Sequence, residues 1–147
     1  MNWIIDTSVI TRTIHSGTEQ QQIAIDSLSK LRIQNETLCV VPQNLVEFWA
    51  VATRPIVANG LGLTIEQAES EILQIKLHFV LKTENETLFE NWENLVKKYR
   101  VIGKTTHDAR IVAAMQTHNI TNLLTFNVSD FKRYSDIINV FDPREII

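Results

Sequence analysis

Met1-Asn2-Trp3-Ile4-Ile5-Asp6-Thr7-Ser8 is the stretch whose reading decides the fold. Met1 to Ile5 is a short apolar run of the kind that forms a strand buried on both faces, and Asp6-Thr7-Ser8 is where such a strand hands over to a helix. Strands that feed directly into helices build parallel α/β sheets. In open sheets of that kind the ligand crevice lies outside the carboxyl ends of the strands, so the Asp6 carboxylate stands where chemistry is done rather than where a core is packed.

The rest of the chain repeats the alternation. Helices are expected over residues 8–14 and 19–33, a strand over 38–41, and a helix from Pro42 to Thr53 that Arg54-Pro55 stops. Asn59-Gly60-Leu61-Gly62 reads as a loop, and Thr64 with Gln67 as a capping box for a helix running to about Lys76. A short strand is expected over 78–81. Leu88, Trp92, Leu95, Val96 and Tyr99 recur at helical spacing, which predicts an amphipathic helix over 87–100 whose stripe packs on the core. Gly103 breaks the chain, Thr105 caps the next helix, and a strand over 122–126, a helical turn over 130–134 and a strand over 138–141 complete it. The pattern predicts one domain over residues 1–147, α/β in class: a three-layer α/β/α arrangement around a central parallel sheet.

At 147 residues the chain is long enough to bury a core without disulfides or a structural metal. Its one cysteine, Cys39, lies in the apolar run Leu38-Cys39-Val40-Val41 and reads as a core filler; no Cys/His zinc spacing is present. No secretory leader and no membrane-length apolar stretch occur, so a cytoplasmic protein is expected. A formal net charge of −3 gives no global nucleic-acid footprint. Local basic patches do exist at Lys97, Lys98, Arg100 and Lys104, and at Lys132-Arg133.

Three further acids, Glu47, Asp108 and Asp130, stand where an α/β fold brings them beside Asp6. Gathered carboxylates repel by about 4 kcal/mol per pair at roughly 4 Å and an effective dielectric of about 20, so such a cluster implies a compensating cation. All-oxygen ligands point to Mg²⁺ or Mn²⁺. Each acid also has an ordinary structural reading. Asp6 serves as a helix cap or Asx turn, Asp108 as the third residue behind a Thr105 cap, and Asp130 as the cap of the helical turn holding Phe131 and Tyr134. Glu47 has apolar neighbours, Leu45, Val46, Phe48 and Trp49, so its structural alternative is a buried ion pair with Arg54 or another base. Of the four histidines, His15, His78 and His118 read as surface residues, and His107 is placed to touch a phosphate.

Taken together, strand-Asp6-Thr7-Ser8, Asn44-Leu45-Val46-Glu47-Phe48-Trp49, His107-Asp108-Ala109-Arg110-Ile111-Val112-Ala113-Ala114 and Leu124-Thr125-Phe126-Asn127-Val128-Ser129-Asp130-Phe131 resemble the PIN-domain family along nearly the whole chain. The length and layout resemble the VapC-type toxins of prokaryotic toxin–antitoxin pairs within it. The resemblance implies a PIN-like fold, a metal-dependent endoribonuclease that hydrolyses RNA phosphodiester bonds, a homodimer, and a small cognate antitoxin that occludes the site. It implies Asp6 and Asp108 as direct ligands of Mg²⁺ or Mn²⁺, with Glu47 and Asp130 as further ligands or as groups that orient water. Thr7, Ser8 and Thr125 would hydrogen-bond the carboxylates or the phosphate. The chain departs from the family pattern after the strand and Thr125, where members often carry an acid and this chain has Asn127. Either Asp130 takes the fourth position, or the site works with three acids and an amide.

Two readings from other classes stand beside it. An aspartyl phosphotransfer or phosphatase domain would also use a strand-end Asp and Mg²⁺, but Ser8 stands where a haloacid-dehalogenase-like enzyme has its second Asp. The other is a non-catalytic PIN-like module that binds RNA or protein. No glycine-rich nucleotide loop is present, so neither ATP nor NAD is implied.

Overall fold

The computed structural model describes residues 1–146. In chain order the elements are β1 (Asn2–Ile5), α1 (Thr7–Ile14), α2 (Glu19–Ile33), β2 (Thr37–Val40), α3 (Pro42–Thr53), α4 (Ile65–His78), β3 (Val80–Leu81), α5 (Leu88–Lys98), α6 (Thr105–Thr117), β4 (Asn122–Leu124), α7 (Val128–Phe131), β5 (Asn139–Phe141) and α8 (Pro143–Ile146). The five strands form one sheet in the order β3-β2-β1-β4-β5, parallel at every pairing. The chain first builds outward from β1 through β2 to β3, then crosses to the other side of β1 to lay down β4 and β5. The topological switch therefore falls between β1 and β4, the place where such sheets open a ligand crevice.

Alternate side chains of the strands fill two separate cores, which makes the three layers. Trp3, Ile5, Leu38, Val40 and Leu124 pack with α1, α2, α3 and α4 on one face. Ile4, Cys39 and Leu123 pack with α5, α6 and α7 on the other. The register agrees, since Ile4 lies opposite both Cys39 and Leu123. Cys39 is fully buried, as expected of a core filler.

The helical stripe of α5 does pack on the core: Leu88 and Leu95 are buried, with Trp92, Val96 and Tyr99 half-buried against it. Element ends differ from the sequence reading in identifiable ways. Helix α4 continues to His78, so β3 begins only at Val80, because the capping box at Thr64 starts a helix with no stop signal before Phe79. Thr105 does not cap α6. It is already the first helical residue, and its hydroxyl donates to the Ile102 carbonyl at 2.6 Å. Asp130 is likewise not a cap; it lies inside α7, and Asn127 occupies the capping position. Among the described residues no helix is long and apolar enough to cross a membrane.

Candidate functional site

Asp6 follows β1 directly and is 7% exposed. It occupies the cap position of α1, yet its side chain makes no capping bond. Instead both hydroxyls of the adjoining corner donate to one oxygen: Ser8 Oγ at 2.8 Å and Thr125 Oγ1 at 2.8 Å, both to Oδ2. Thr125 follows β4, so the two strands on either side of the switch point are joined through this carboxylate. The corner is closed by backbone donors, with Phe126 N–H bonded to Ser8 Oγ at 3.1 Å and Asn127 N–H to Thr125 Oγ1 at 2.9 Å. Burial pushes the Asp6 carboxyl above the usual carboxylate range, and the Thr125 and Ser8 hydroxyls work against that shift.

Glu47 reaches the same end of the sheet from α3. Burial, then the charge of Asp6 and then that of Asp108, raise it from 4.5 to about 7, while a hydrogen bond from Gln43 opposes the rise. Asp108 sits in the first turn of α6, half-buried above Ile111, Val112 and Met115. Its carboxyl is raised from 3.8 to about 6, first by burial and then by Asp130 and Asp6, against weaker opposition from His107 and Arg133. Asp130 is exposed on α7. The acids thus lie in one another's field, as the sequence implied. Among the described residues, none of the four enters an ion pair with Lys, Arg or His. Arg54 is not the partner of Glu47: its guanidinium donates to the Asn59 carbonyl at 3.1 Å. The apolar neighbours of Glu47 are not all buried either, since Val46 is 70% and Trp49 36% exposed.

Three polar residues that the sequence reading passed over set this geometry. Gln43 Nε2 donates to Glu47 Oε1 at 3.0 Å and to the His107 carbonyl at 2.8 Å, tying α3 to the first turn of α6. Arg110 Nη1 donates to Gln43 Oε1 at 3.2 Å. Asn44, fully buried, accepts from Val41 N–H at 2.8 Å and donates to Thr7 Oγ1 at 3.3 Å, locking the β2–α3 corner to α1. The Thr7 hydroxyl is therefore engaged with α3. Asn127 is exposed and takes part through its backbone N–H. A polar pair at the start of a helix was the only signal for Gln43 and Asn44, and it reads equally well as a cap.

The donor set suits a hard divalent cation: carboxylates raised first by burial and, at Glu47 and Asp108, further by neighbouring acids, with no ion pair to a basic side chain among the described residues. The carboxylates stand apart, however, and among the described residues no three His, Cys, Asp or Glu side chains are already grouped at metal-holding distance.

The comparisons agree with this architecture. The chain is similar to VapBC2 of Rickettsia felis, solved with a DNA fragment from the promoter, at a TM-score of 0.70 and 18% identity over 97% of this chain and 98% of that one. It is similar to VapBC-1 of nontypeable Haemophilus influenzae at 0.69 and 22% identity, covering 98% and 99%. Mycobacterium tuberculosis VapC20, a Sarcin-Ricin loop cleaving toxin, aligns at 0.64 and 18% identity over 88% and 93%. No curated protein matches the sequence. With a parallel sheet in this strand order, acids at its carboxyl edge, and the PIN domain sequence profile matching residues 3–137, the chain belongs to the PIN domain family.

Proposed function

We propose that the chain is a Mg²⁺- or Mn²⁺-dependent endoribonuclease, the toxin of a toxin–antitoxin pair, in which Asp6 and Asp108 hold the ion. The observation that carries this reading is that Asp6, Glu47 and Asp108 lie in one another's field at the switch point, with raised carboxyls and, among the described residues, no basic side chain paired to any of them. When bound, the ion supplies charge for the scissile phosphate and lowers the pKa of the attacking water.

The residues of the chain divide the remaining work. Ser8 and Thr125 fix the Asp6 carboxyl before any ligand arrives, because both hydroxyl hydrogen bonds converge on Oδ2. Gln43 holds Glu47 Oε1, which leaves Oε2 to orient the attacking water and take its proton. A carboxyl that titrates near neutral pH is suited to that role. Asp130, on α7, adds negative charge beside Asp108 and fills the fourth position, with the Asn127 amide as the alternative at the same edge. Exposed Val46, Trp49, Ile56 and Val57 offer an apolar surface for a second copy or an antitoxin to bury.

Purified protein with either ion should cleave RNA at low ionic strength, where phosphate contacts are strongest, and stop on addition of EDTA. Asp6→Asn should abolish cleavage in a folded protein. Asp130→Asn should weaken cleavage less than Asp6→Asn if Asn127 or water serves in its place, and as severely if Asp130 is the fourth acid. Cleavage indifferent to EDTA and to Asp6→Asn, or a phosphate trapped on Asp6, would remove the nuclease assignment.

A further inference from the structure

Between α5 and the first turns of α6 lies a cavity of about 400 Å³, within the roughly 300–1,000 Å³ typical of small-molecule sites. Its aromatic wall comes from α5. Phe89 is 65% exposed, an unusual state for a large apolar ring, and packs tilted on Trp92 with centroids 5.5 Å apart. Trp92 is fixed by its indole N–H, which donates to the Thr106 carbonyl at 2.8 Å. The opposite wall is Thr106, His107 and Arg110. Two of these also belong to the network that sets the acids: the His107 carbonyl accepts from Gln43 Nε2, and Arg110 donates to Gln43 Oε1.

We propose that Phe89 and Trp92 form a shelf on which one base of the RNA strand stacks while the neighbouring phosphate lies at the acids; the inference rests on the nuclease reading above. Charge selects a base over a phosphate here. Glu84 and Glu86 line the cavity, and its one guanidinium, Arg110, is already bonded to Glu84 at 2.6 Å, so an anion is repelled while a neutral planar ring is not. Continuity selects RNA over an unrelated apolar ligand. The cavity wall residues His107 and Arg110 both bond Gln43, which bonds Glu47, so the shelf is one hydrogen-bonded residue removed from the acids. Aromatic stacking is worth about 1–3 kcal/mol per base and tolerates any base, which makes the shelf a device for binding unpaired nucleotides rather than for reading sequence.

The test uses labelled single-stranded oligoribonucleotides, some with one abasic nucleotide at successive positions, binding to the full chain carrying Asp108→Asn. Phe89→Ala should weaken binding by about tenfold and Phe89→Tyr should restore it. An abasic nucleotide at one position should cost the same tenfold with Phe89 present and nothing further with Phe89→Ala. In the cleaving protein, Phe89→Ala should raise KM with kcat within about twofold of the parent. Unchanged affinity in Phe89→Ala overturns the shelf, as does an abasic loss that the variant does not abolish. So does a change of oligomeric state with RNA binding intact, which would make the patch a protein contact. If the parent binds RNA in this Phe89-dependent way but never cleaves it, the shelf stands and the nuclease reading fails.

Discussion

The two sides of the acidic edge are held by different forces. On the β1–β4 side, Asp6 is buried and bonded by two hydroxyls, each of which is itself bonded by a backbone N–H. On the α6–α7 side, no hydrogen bond holds the Asp108 carboxyl among the described residues, and Asp130 is exposed. One carboxyl is built into the fold by hydrogen bonds, and the other is left to burial and the charges around it. The difference teaches that a site can be half pre-organised, with one carboxyl bonded in place and its neighbours left in one another's field.

Removing the Thr125 hydroxyl is the most direct way to break this contrast. Thr125→Val leaves the buried Asp6 carboxylate short of one donor and the Asn127 N–H without its acceptor, which should cost about 1–3 kcal/mol in denaturant unfolding. Asp108→Asn removes a charge that Asp130 and Asp6 repel and breaks no hydrogen bond, so the metal-free protein should be as stable as the parent or more so. Equal losses in the two variants would show that both sides are built alike.

Titration sharpens the same contrast. Glu47 at about 7 and Asp108 at about 6 hold their protons in the folded chain to a higher pH than their ordinary values of 4.5 and 3.8 allow in the unfolded one. The folded state binds more protons in that window, so the stability these groups contribute is full below about pH 4 and is lost as pH rises through about 6 to 7. The metal-free melting temperature should therefore fall across that interval. Millimolar Mg²⁺ or Mn²⁺ should raise it above about pH 7 and have little effect near pH 4, because protons and cation compete for the same oxygens. Glu47→Gln with Asp108→Asn should flatten the slope. A slope that survives both substitutions would assign it to other groups.

Legibility in the sequence followed the same division. Asp6 could be found because the end of an apolar run before a helix is a local pattern, and Asp108 because its spacing with Ile111, Val112 and Met115 is local too. The layer order was readable for the same reason, since apolar runs and helical stripes are short-range signals. What could not be read depends on distance along the chain. The Gln43 bond to the His107 carbonyl joins residues 64 apart, and nothing near Gln43 announces it. The Thr125 bond to Asp6 spans 119 residues, so the sequence could offer Thr125 as a partner without saying which oxygen it would fix. Helix boundaries failed where two residues compete for one role, as at Thr105, whose hydroxyl found the Ile102 carbonyl rather than a capping position.

The smallest expected effect probes whether the charge-held side has a concealed partner. Tyr134 is 1% exposed, in contact edge-on with Tyr99 at 4.9 Å, and its hydroxyl is the one buried side-chain polar atom without a hydrogen bond among the described residues. Its pKa is raised first by burial, opposed by Arg133, and raised further by the Asp108 charge, so the hydroxyl keeps its proton near the acid. A buried hydroxyl that bonds nothing carries an uncompensated desolvation cost, whereas loss of a real bond costs about 1 kcal/mol. Tyr134→Phe should thus leave the unfolding free energy equal to that of the parent or higher, with the aromatic packing kept. Cleavage should also be unchanged, since losing a partner that orients a metal ligand typically costs about 10–100-fold. A drop of that size with stability intact would mean that Tyr134 donates to Asp108 once the site is loaded, and the α6–α7 side would then gain its hydrogen bond on loading.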